Sequence, residues 1–474
     1  MCAEWGQLTV RELQSAIGGN LVFGLEDMPV NGLSTDTRKI TKGEFFLALK
    51  GEHFDGHDFI QEAISAGAAG LIVENDKMEF VPILDKTSTL IAVSSTLNAL
   101  GDLALWWRRQ WGKELVSITG TNGKSTTKEM ASSILSKEAP TVKTPGNFNN
   151  LIGLPLTILS LTSLHKTAVL EMGMNRPGEI RRLTRIANPD IGVITNISGA
   201  HLEGLGDLNG VIKAKAELLE AMRGGAIAVL NGDDEATKKL IPVFQGSIIQ
   251  FGLGRMNDVR AENIRSNRDT ARFFDIVFQE QRIPVCINIP GAHNIMNALA
   301  AAAVGHCLSV SKESIINGLA EFKPLNGRFQ VVSLNRGVRL IDDTYNANPS
   351  SLKAAIQEIK VLKKAGLLVG LGEMMELGKE ASLLHVNAGK LVGGSGVKFF
   401  VALGKHGEQL IEGALKGGLS KEQTCLVTNL DEMFSMIKTN VSNGDIVFLK
   451  GSRAMALDKV AQAIKDYFGL RRRG

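Results

Sequence analysis

The run Gly120-Thr121-Asn122-Gly123-Lys124-Ser125-Thr126 has the residue types needed to hold a nucleoside triphosphate. Glycines let backbone N–H groups approach phosphate oxygens with no Cβ in the way. A helix opening at Lys124 adds favourable partial charge. Lys124 can reach the β- and γ-phosphates, and the Ser125 hydroxyl can ligate Mg²⁺. The full Walker pattern asks for glycine at position 118, where this chain has Ile118, so only the shorter Gly-Thr-Asn-Gly-Lys-Ser form is present. A glycine turn before a capped helix is the plainer reading of the same residues.

Other candidates are weaker taken singly. Glu171 closes the apolar run Val169-Leu170, and ligands of open α/β sheets sit outside the carboxyl ends of strands. A carboxylate there can hold Mg²⁺, a hard ion that favours oxygen; it can equally cap the next helix or pair with an arginine. His201 and Lys215, by pattern alone, read as a satisfied polar residue and a solvated helix lysine. Asn294 and Asn297 stand at i,i+3 spacing where an Ala-rich helix begins, so their amides can read an adenine edge or cap the helix. Arg328, at a domain junction, can fork onto a phosphate or join an interdomain ion pair. Asp343 lies in the polar run Asp342 to Pro349 after a strand, a candidate nucleotide or substrate loop or else an Asx turn.

These residues need elements to position them. Leu115–Thr119 reads as a strand leading into the phosphate loop, and Lys124–Lys137 as the helix after it. Strands follow at 168–171, 191–195 and 226–230 with helices between, which predicts a parallel, doubly wound sheet. The stretch 248–289 reads as β-rich and irregular, and 293–308 as a helix. A second doubly wound unit has strands at 339–342, 367–370, 398–403 and 446–449. The first hundred residues read as mixed α/β, with helices at 9–17, 58–69 and 98–111 and strands at 44–49 and 70–73. The expected domains are 1–112, 113–326 and 327–474.

The length of 474 residues suggests three such units at roughly 150 residues each. Lys+Arg minus Asp+Glu is 53 − 49, a net charge of +4, too small for a dedicated nucleic-acid or polybasic membrane binder. The four cysteines form no CxxC pair, which argues against a disulfide framework or zinc knuckle and for a reducing compartment. No signal peptide or transmembrane run is visible, so a cytoplasmic protein without nucleic-acid partners or membrane insertion is expected. The tail Arg471-Arg472-Arg473 reads as a solvated end.

Taken together the segments resemble the Mur ligase family over nearly the whole chain. The resemblance is carried by Ser34-Thr35-Asp36-Thr37-Arg38, Phe45 to Gly51 and His57-Asp58-Phe59. It continues through the phosphate loop, Thr144 to Asn150, Glu171-Met172-Gly173, His201-Leu202-Glu203-Gly204 and Lys215. His293-Asn294 with Asn297, Asp342 to Pro349 and Lys450-Gly451-Ser452-Arg453 complete it. It implies an N-terminal α/β domain for the UDP end of a muramoyl precursor, a central P-loop domain for ATP and a Rossmann-like C-terminal domain that closes over both.

The implied activity is ATP-dependent joining of D-alanyl-D-alanine to UDP-N-acetylmuramoyl-tripeptide through an acyl phosphate, in peptidoglycan precursor synthesis, by a monomer. The resemblance makes Lys215 a carbamylated lysine and places Glu171 and His201 around Mg²⁺. It assigns adenine to Asn297, phosphate to Arg328 and ribose to Asp343. The acceptor precursor falls to Ser34, Thr35, Asp36 and Arg38 with Asn147 and Asn149. Folylpolyglutamate synthase shares the Gly-Thr-Asn-Gly-Lys loop but usually continues it with Gly-Ser, where this chain has Ser125-Thr126. The Asp-Asn-Pro-Arg signature of the ligase adding the third amino acid is absent, as is the Asn-Lys-x-Asp of a GTPase switch.

Overall fold

The apolar runs separated by helices form three sheets in a computed structural model that describes residues 5–51, 54–85, 88–266, 271–279, 281–362 and 366–470. Cys2 and the Arg471–Arg473 tail lie outside the described residues. The first sheet contains β1 (Asn20–Phe23), β2 (Leu33–Ser34), β3 (Phe45–Leu47), β4 (Gly70–Glu74) and β5 (Thr89–Val93), ordered β1-β5-β4-β3-β2. Only its β1–β5 pair is antiparallel. Strand β5 was not anticipated; its five residues are all buried between two neighbours.

The central sheet contains β6 (Glu114–Thr119), β7 (Thr141–Lys143), β8 (Thr167–Glu171), β9 (Ile191–Ile194) and β10 (Ile227–Asn231). It goes on with β11 (Ser247–Gly252), β12 (Val259–Ser266), β13 (Arg272–Phe278) and β14 (Gln281–Ile287). The order is β14-β13-β12-β11-β10-β9-β6-β8-β7. Strands β7 to β12 and β6 run parallel to their neighbours, as the alternation predicts, and β12, β13 and β14 form an antiparallel extension. The stretch read as irregular is therefore regular strand. Its antiparallel part alternates buried and exposed residues along β13 and β14, the pattern of a sheet with one solvated face.

The third sheet contains β15 (Gln330–Ser333), β16 (Arg339–Asp343), β17 (Leu367–Leu371), β18 (Phe399–Leu403), β19 (Thr424–Val427) and β20 (Ile446–Lys450). Its order is β15-β16-β20-β17-β18-β19, parallel except at β15. Apolar cores fill both faces, as a doubly wound sheet requires.

The two domain joints differ in kind. Helix Thr96–Trp111 starts where the Ser95 hydroxyl accepts the Asn98 N–H at 3.3 Å and stops at left-handed Gly112. Its buried side belongs to one apolar cluster that runs from Val10 and Ile91 into Leu154, Leu183 and Leu218 of the central domain. The Trp107 indole N–H donates to Leu161 O at 2.9 Å, and buried Arg108 reaches Ala187 O at 3.0 Å and the Asp190 carboxylate at 2.8 Å. The first and central domains thus share a core. The central and C-terminal domains meet through polar contacts, among them a buried Arg272–Glu358 ion pair. A joint of that kind permits relative motion more readily than a shared core does. Among the described residues no helix is long and apolar enough to cross a membrane.

Trp107→Ala removes a fully buried indole from the shared core and leaves a cavity. It is expected to destabilise the N-terminal and central unit by about 3–5 kcal/mol. Urea unfolding followed by circular dichroism checks this, and an unchanged first transition would contradict a shared core.

Candidate active site

The phosphate loop is built by geometry that only glycine allows. Gly120 has φ 144°, and a Cβ there would stand 1.9 Å from Thr195 Oγ1. Gly123 has φ 82°, and a Cβ there would stand 2.3 Å from Asn297 Oδ1. The loop is stapled to the segment after β9. Thr121 N–H donates to Asn196 O at 2.8 Å, Asn122 N–H to Asn196 Oδ1 at 3.1 Å, and Thr195 Oγ1 to Asn122 O at 2.6 Å. Helix Lys124–Leu135 follows, and Thr127 N–H closes its first turn on Gly123 O at 2.8 Å. The leading N–H groups have no carbonyl four residues back, so they form a ready anion cradle at the positive end of the helix dipole.

Lys124 donates to Gly120 O at 2.8 Å and Thr121 O at 3.1 Å. Burial pushes its pKa down, the Glu171 carboxylate opposes that, Arg328 adds to it, and Glu376 opposes it. Ser125 Oγ accepts from the Arg328 guanidinium at 3.3 Å. The cation of the C-terminal domain therefore sits directly on the phosphate loop, and its guanidinium also stacks 3.9 Å from the Tyr345 ring centre.

Glu171 ends β8 at 3% exposure. Its Oε1 accepts from Asn149 Nδ2 at 2.9 Å, while Oε2 is buried with no partner. Its N–H donates to Thr144 Oγ1 at 2.8 Å, and the Lys128 ammonium fixes Thr144 O at 2.7 Å. Lys215, on helix Leu208–Ala221, is sealed from solvent, and its Nζ has Thr119 Oγ1 at 3.3 Å. Burial, followed by the charge of Lys124, pushes its pKa well below that of a free lysine, against the pull of Glu171 and Glu217. This environment favours the neutral amine. It overturns the solvated-lysine reading of Lys215 that pattern alone suggests.

His201 has φ 56° and opens the short helix Leu202–Leu205. Its Nδ1 lies 2.5 Å from Glu376 Oε2, a close contact whose alignment is poor for a hydrogen bond. Proximity to His201 holds the Glu376 carboxyl below the usual range.

A cleft of about 1130 Å³ between the central and C-terminal domains gathers most of these groups. Thr121, Asn122, Gly123, Lys124 and Thr126 line it, with Asn147, Asn149, Glu171 and His201 and with Asn294, Asn297, Arg328 and Asp343. Gly120, Ser125 and Lys215 stand behind that lining. Asn294 and Asn297 do not present bare amides. Asn294 donates to Pro290 O at 2.6 Å, Asn297 Nδ2 donates to Asn294 Oδ1 at 3.0 Å, and Asn297 Oδ1 accepts from Thr127 Oγ1 at 3.3 Å. A base edge would meet only their remaining donor and acceptor positions. Asp343 is also engaged: Oδ2 meets Lys450 Nζ at 2.5 Å and Oδ1 accepts Phe329 N–H at 3.1 Å.

Ser34, Thr35, Asp36 and Arg38 do not line this cleft. They form a local turn in the N-terminal domain, where Arg38 Nε and a terminal nitrogen grip the Asp36 carboxylate at 2.8 and 2.9 Å. That hydrogen bonding lowers the Asp36 pKa to about 2.

Two contributors, Glu376 and Ser350, escape the sequence reading, and a third, Asn348, enters it only as part of the run Asp342 to Pro349. Glu376, Asn348 and Ser350 all belong to the C-terminal domain. Asn348 Nδ2 donates to Asn122 Oδ1, and Asn122 Nδ2 to Ser350 Oγ, each at 2.8 Å. Asn348 sits in the polar run that drew attention to Asp343; Glu376 lies well beyond the end of β17 (Leu367–Leu371), whereas Glu171 is itself the last residue of β8.

The comparisons with known proteins agree with this layout. The Mur ligase family catalytic domain matches residues 29–107, the Mur ligase middle domain 118–305, and the Mur ligase glutamate ligase domain 327–453. The UDP-N-acetylmuramoyl-tripeptide–D-alanyl-D-alanine ligase of Bacillus subtilis (strain 168) is 34% identical, over 96% of this chain and 97% of its own. The enzyme of that name from Escherichia coli (strain K12) is 34% identical over 97% and 98%. Among solved structures, MurF from Acinetobacter baumannii superposes with a TM-score of 0.87 at 30% identity, over 98% of this chain and 99% of that one. MurF ligase from Thermotoga maritima in complex with ADP gives 0.81 at 28% identity, over 92% and 97%. With three domains matched in order and relatives similar from end to end, this chain belongs to the Mur ligase family.

Proposed function

We propose that the chain is an ATP-dependent ligase that joins D-alanyl-D-alanine to the terminal carboxylate of UDP-N-acetylmuramoyl-tripeptide. The reading includes work as a monomer in the cytoplasm, in peptidoglycan precursor synthesis. The observation that carries it is one cleft combining a phosphate loop with a carboxylate oxygen, Glu171 Oε2, that is buried and has no protein partner. End-to-end relatives that bear this activity in their names support the choice of substrates.

The residues fit a divalent cation. An unpartnered buried carboxylate oxygen is a hard donor, and the Ser125 hydroxyl lies at the start of helix Lys124–Leu135. Among the described residues no three His, Cys, Asp or Glu side chains converge to hold a metal. Attack of the neutral Lys215 amine on CO₂ would form an N–C bond, release one proton and leave a carbamate anion, supplying the missing carboxylate. His201 would complete the set, although imidazole is a softer partner than Mg²⁺ usually takes. When bound, Mg²⁺ supplies charge neutralisation on the transferring phosphate.

The protein's own groups then have distinct tasks. Backbone N–H groups from Gly123 to Thr126 and the Lys124 ammonium hold the triphosphate and stabilise charge as the γ-phosphoryl group moves to the acceptor carboxylate, releasing ADP. Arg328, already on Ser125, neutralises phosphate charge from the C-terminal side. Asn147 and Asn149 orient the acceptor carboxylate. The amine of D-alanyl-D-alanine attacks the acyl carbon, phosphate leaves, and the nitrogen gives up a proton to form the amide. Closure of the C-terminal domain excludes water, which would otherwise hydrolyse the acyl phosphate. The turn at Ser34, Asp36 and Arg38 holds the UDP end, away from the cleft.

ADP release should require the tripeptide precursor and D-alanyl-D-alanine together; hydrolysis indifferent to both would contradict the ligase reading. Lys124→Ala should lower kcat by about 10²–10³-fold. Lys215→Ala should lose more than about 100-fold, with partial recovery on adding acetate or formate. Full activity of Lys215→Ala in steady-state assays would remove that residue from the site.

A further inference from the structure

We infer that His385 is a positioning residue that shapes the loop after β17 so that Glu376 clasps the central domain at His201. The inference rests on the ligase reading only for its kinetic readout. His385 lies on helix Ala381–Gly393, has no solvent exposure, and uses both ring nitrogens on one loop. Nε2 accepts the Met374 N–H at 2.9 Å, and Nδ1 donates to Ala381 O at 2.7 Å. One ring therefore ties together both ends of the Met374–Ala381 stretch. The pattern needs a neutral ring, and burial favours one. His406 stacks flat on it, with ring centres 4.6 Å apart, and its own Nδ1 meets Glu373 Oε1 at 2.6 Å. Ser452 pins the start of the loop: its N–H donates to Glu373 O at 3.0 Å and its hydroxyl accepts the Met375 N–H at 2.8 Å.

What this bracing holds is a strained residue. Glu376 has φ 63°, a left-handed conformation that a residue with a side chain adopts only when its surroundings enforce it. In that conformation it makes two contacts across the domain joint. Its carboxylate meets His201 Nδ1 at 2.5 Å, and its carbonyl accepts the Glu203 N–H at 3.1 Å. Gly378 comes so close to the same segment that a Cβ would stand 3.2 Å from Glu203 Cα. The carboxylate lies against Nδ1 without an aligned hydrogen bond, so it restrains the ring by charge and contact and leaves the other nitrogen for a partner. The clasp thus ties the two domains together at this edge of the cleft and restrains the pose of His201.

The test compares full-length Glu376→Gln, His385→Leu, His385→Gln and the double variant His385→Leu/Glu376→Gln. Glu376→Gln and His385→Leu should each lower kcat about 10–100-fold, the scale of a misplaced group, with KM for the UDP precursor changed less than about threefold. The double variant should be no worse than Glu376→Gln, because His385 acts through Glu376. His385→Gln, which keeps an acceptor for the Met374 N–H, should recover part of the loss. Hydrogen exchange of the 202–206 segment, read by mass spectrometry, should quicken in His385→Leu, since the Glu203 amide loses its carbonyl partner. Multiplying losses in the double variant, or unchanged exchange in His385→Leu, would overturn the clasp. A wild-type chain inactive on the proposed substrates would sink the ligase reading, and the exchange experiment would still decide the clasp.

Discussion

A lysine side chain sealed from water beside a second lysine is the constraint on which this site depends. An ammonium there is penalised by lost hydration and by its neighbour's charge. Lys215 answers by favouring the neutral amine, while Lys124 keeps two carbonyl acceptors and the nearby field of Glu171 and Glu376. Two lysines a short way apart thus have different tasks written by their surroundings. Burial lowers the pKa of both, more strongly at Lys215, and only Lys124 has two backbone carbonyls to accept from its side chain. The orphaned Glu171 Oε2 is the complementary half of the same arrangement, a buried carboxylate oxygen with no hydrogen-bond partner.

The rest of the architecture serves to hold that small volume. Strands β6, β8 and β9 are neighbours in the central sheet, so the phosphate loop, Glu171 and the segment leading to His201 emerge side by side at one sheet end. The N-terminal domain is fused to this platform by a shared apolar core. The C-terminal domain reaches it through Arg328 on Ser125, Asn348 and Ser350 on Asn122, and Glu376 on His201. Apolar fusion on one side and polar contact on the other make the first joint rigid and the second separable, which suits a cleft that must admit a nucleotide and a peptide and then exclude water.

Legibility in the sequence followed the range of the interactions. The phosphate loop and the two doubly wound sheets could be read because strand, turn and helix are contiguous, and because glycine at 120 and 123 is demanded by local backbone geometry. Strand β5 was missed although its run Thr89–Val93 is as completely buried as β17 and β20, which were read where strands and helices alternate. Lys215 escaped as chemistry because helix periodicity cannot say that this face meets Thr119 and Lys124 rather than water. Resemblance to a family supplied its role. Glu376 and His385 left no local signal at all; their contacts exist only once β17, β20 and the central domain are assembled. The adenine and ribose assignments for Asn297 and Asp343 also look different in three dimensions, since both side chains already bond to neighbours.

The central claim is that Lys215 carries a CO₂-derived carboxylate in the working site. The most direct measurement is ¹³C NMR of the full-length protein equilibrated with ¹³C-bicarbonate. A carbamate resonance present in the wild type and absent from Lys215→Ala is the predicted result. A wild-type spectrum without that resonance, from protein that is active under the same conditions, would contradict the account.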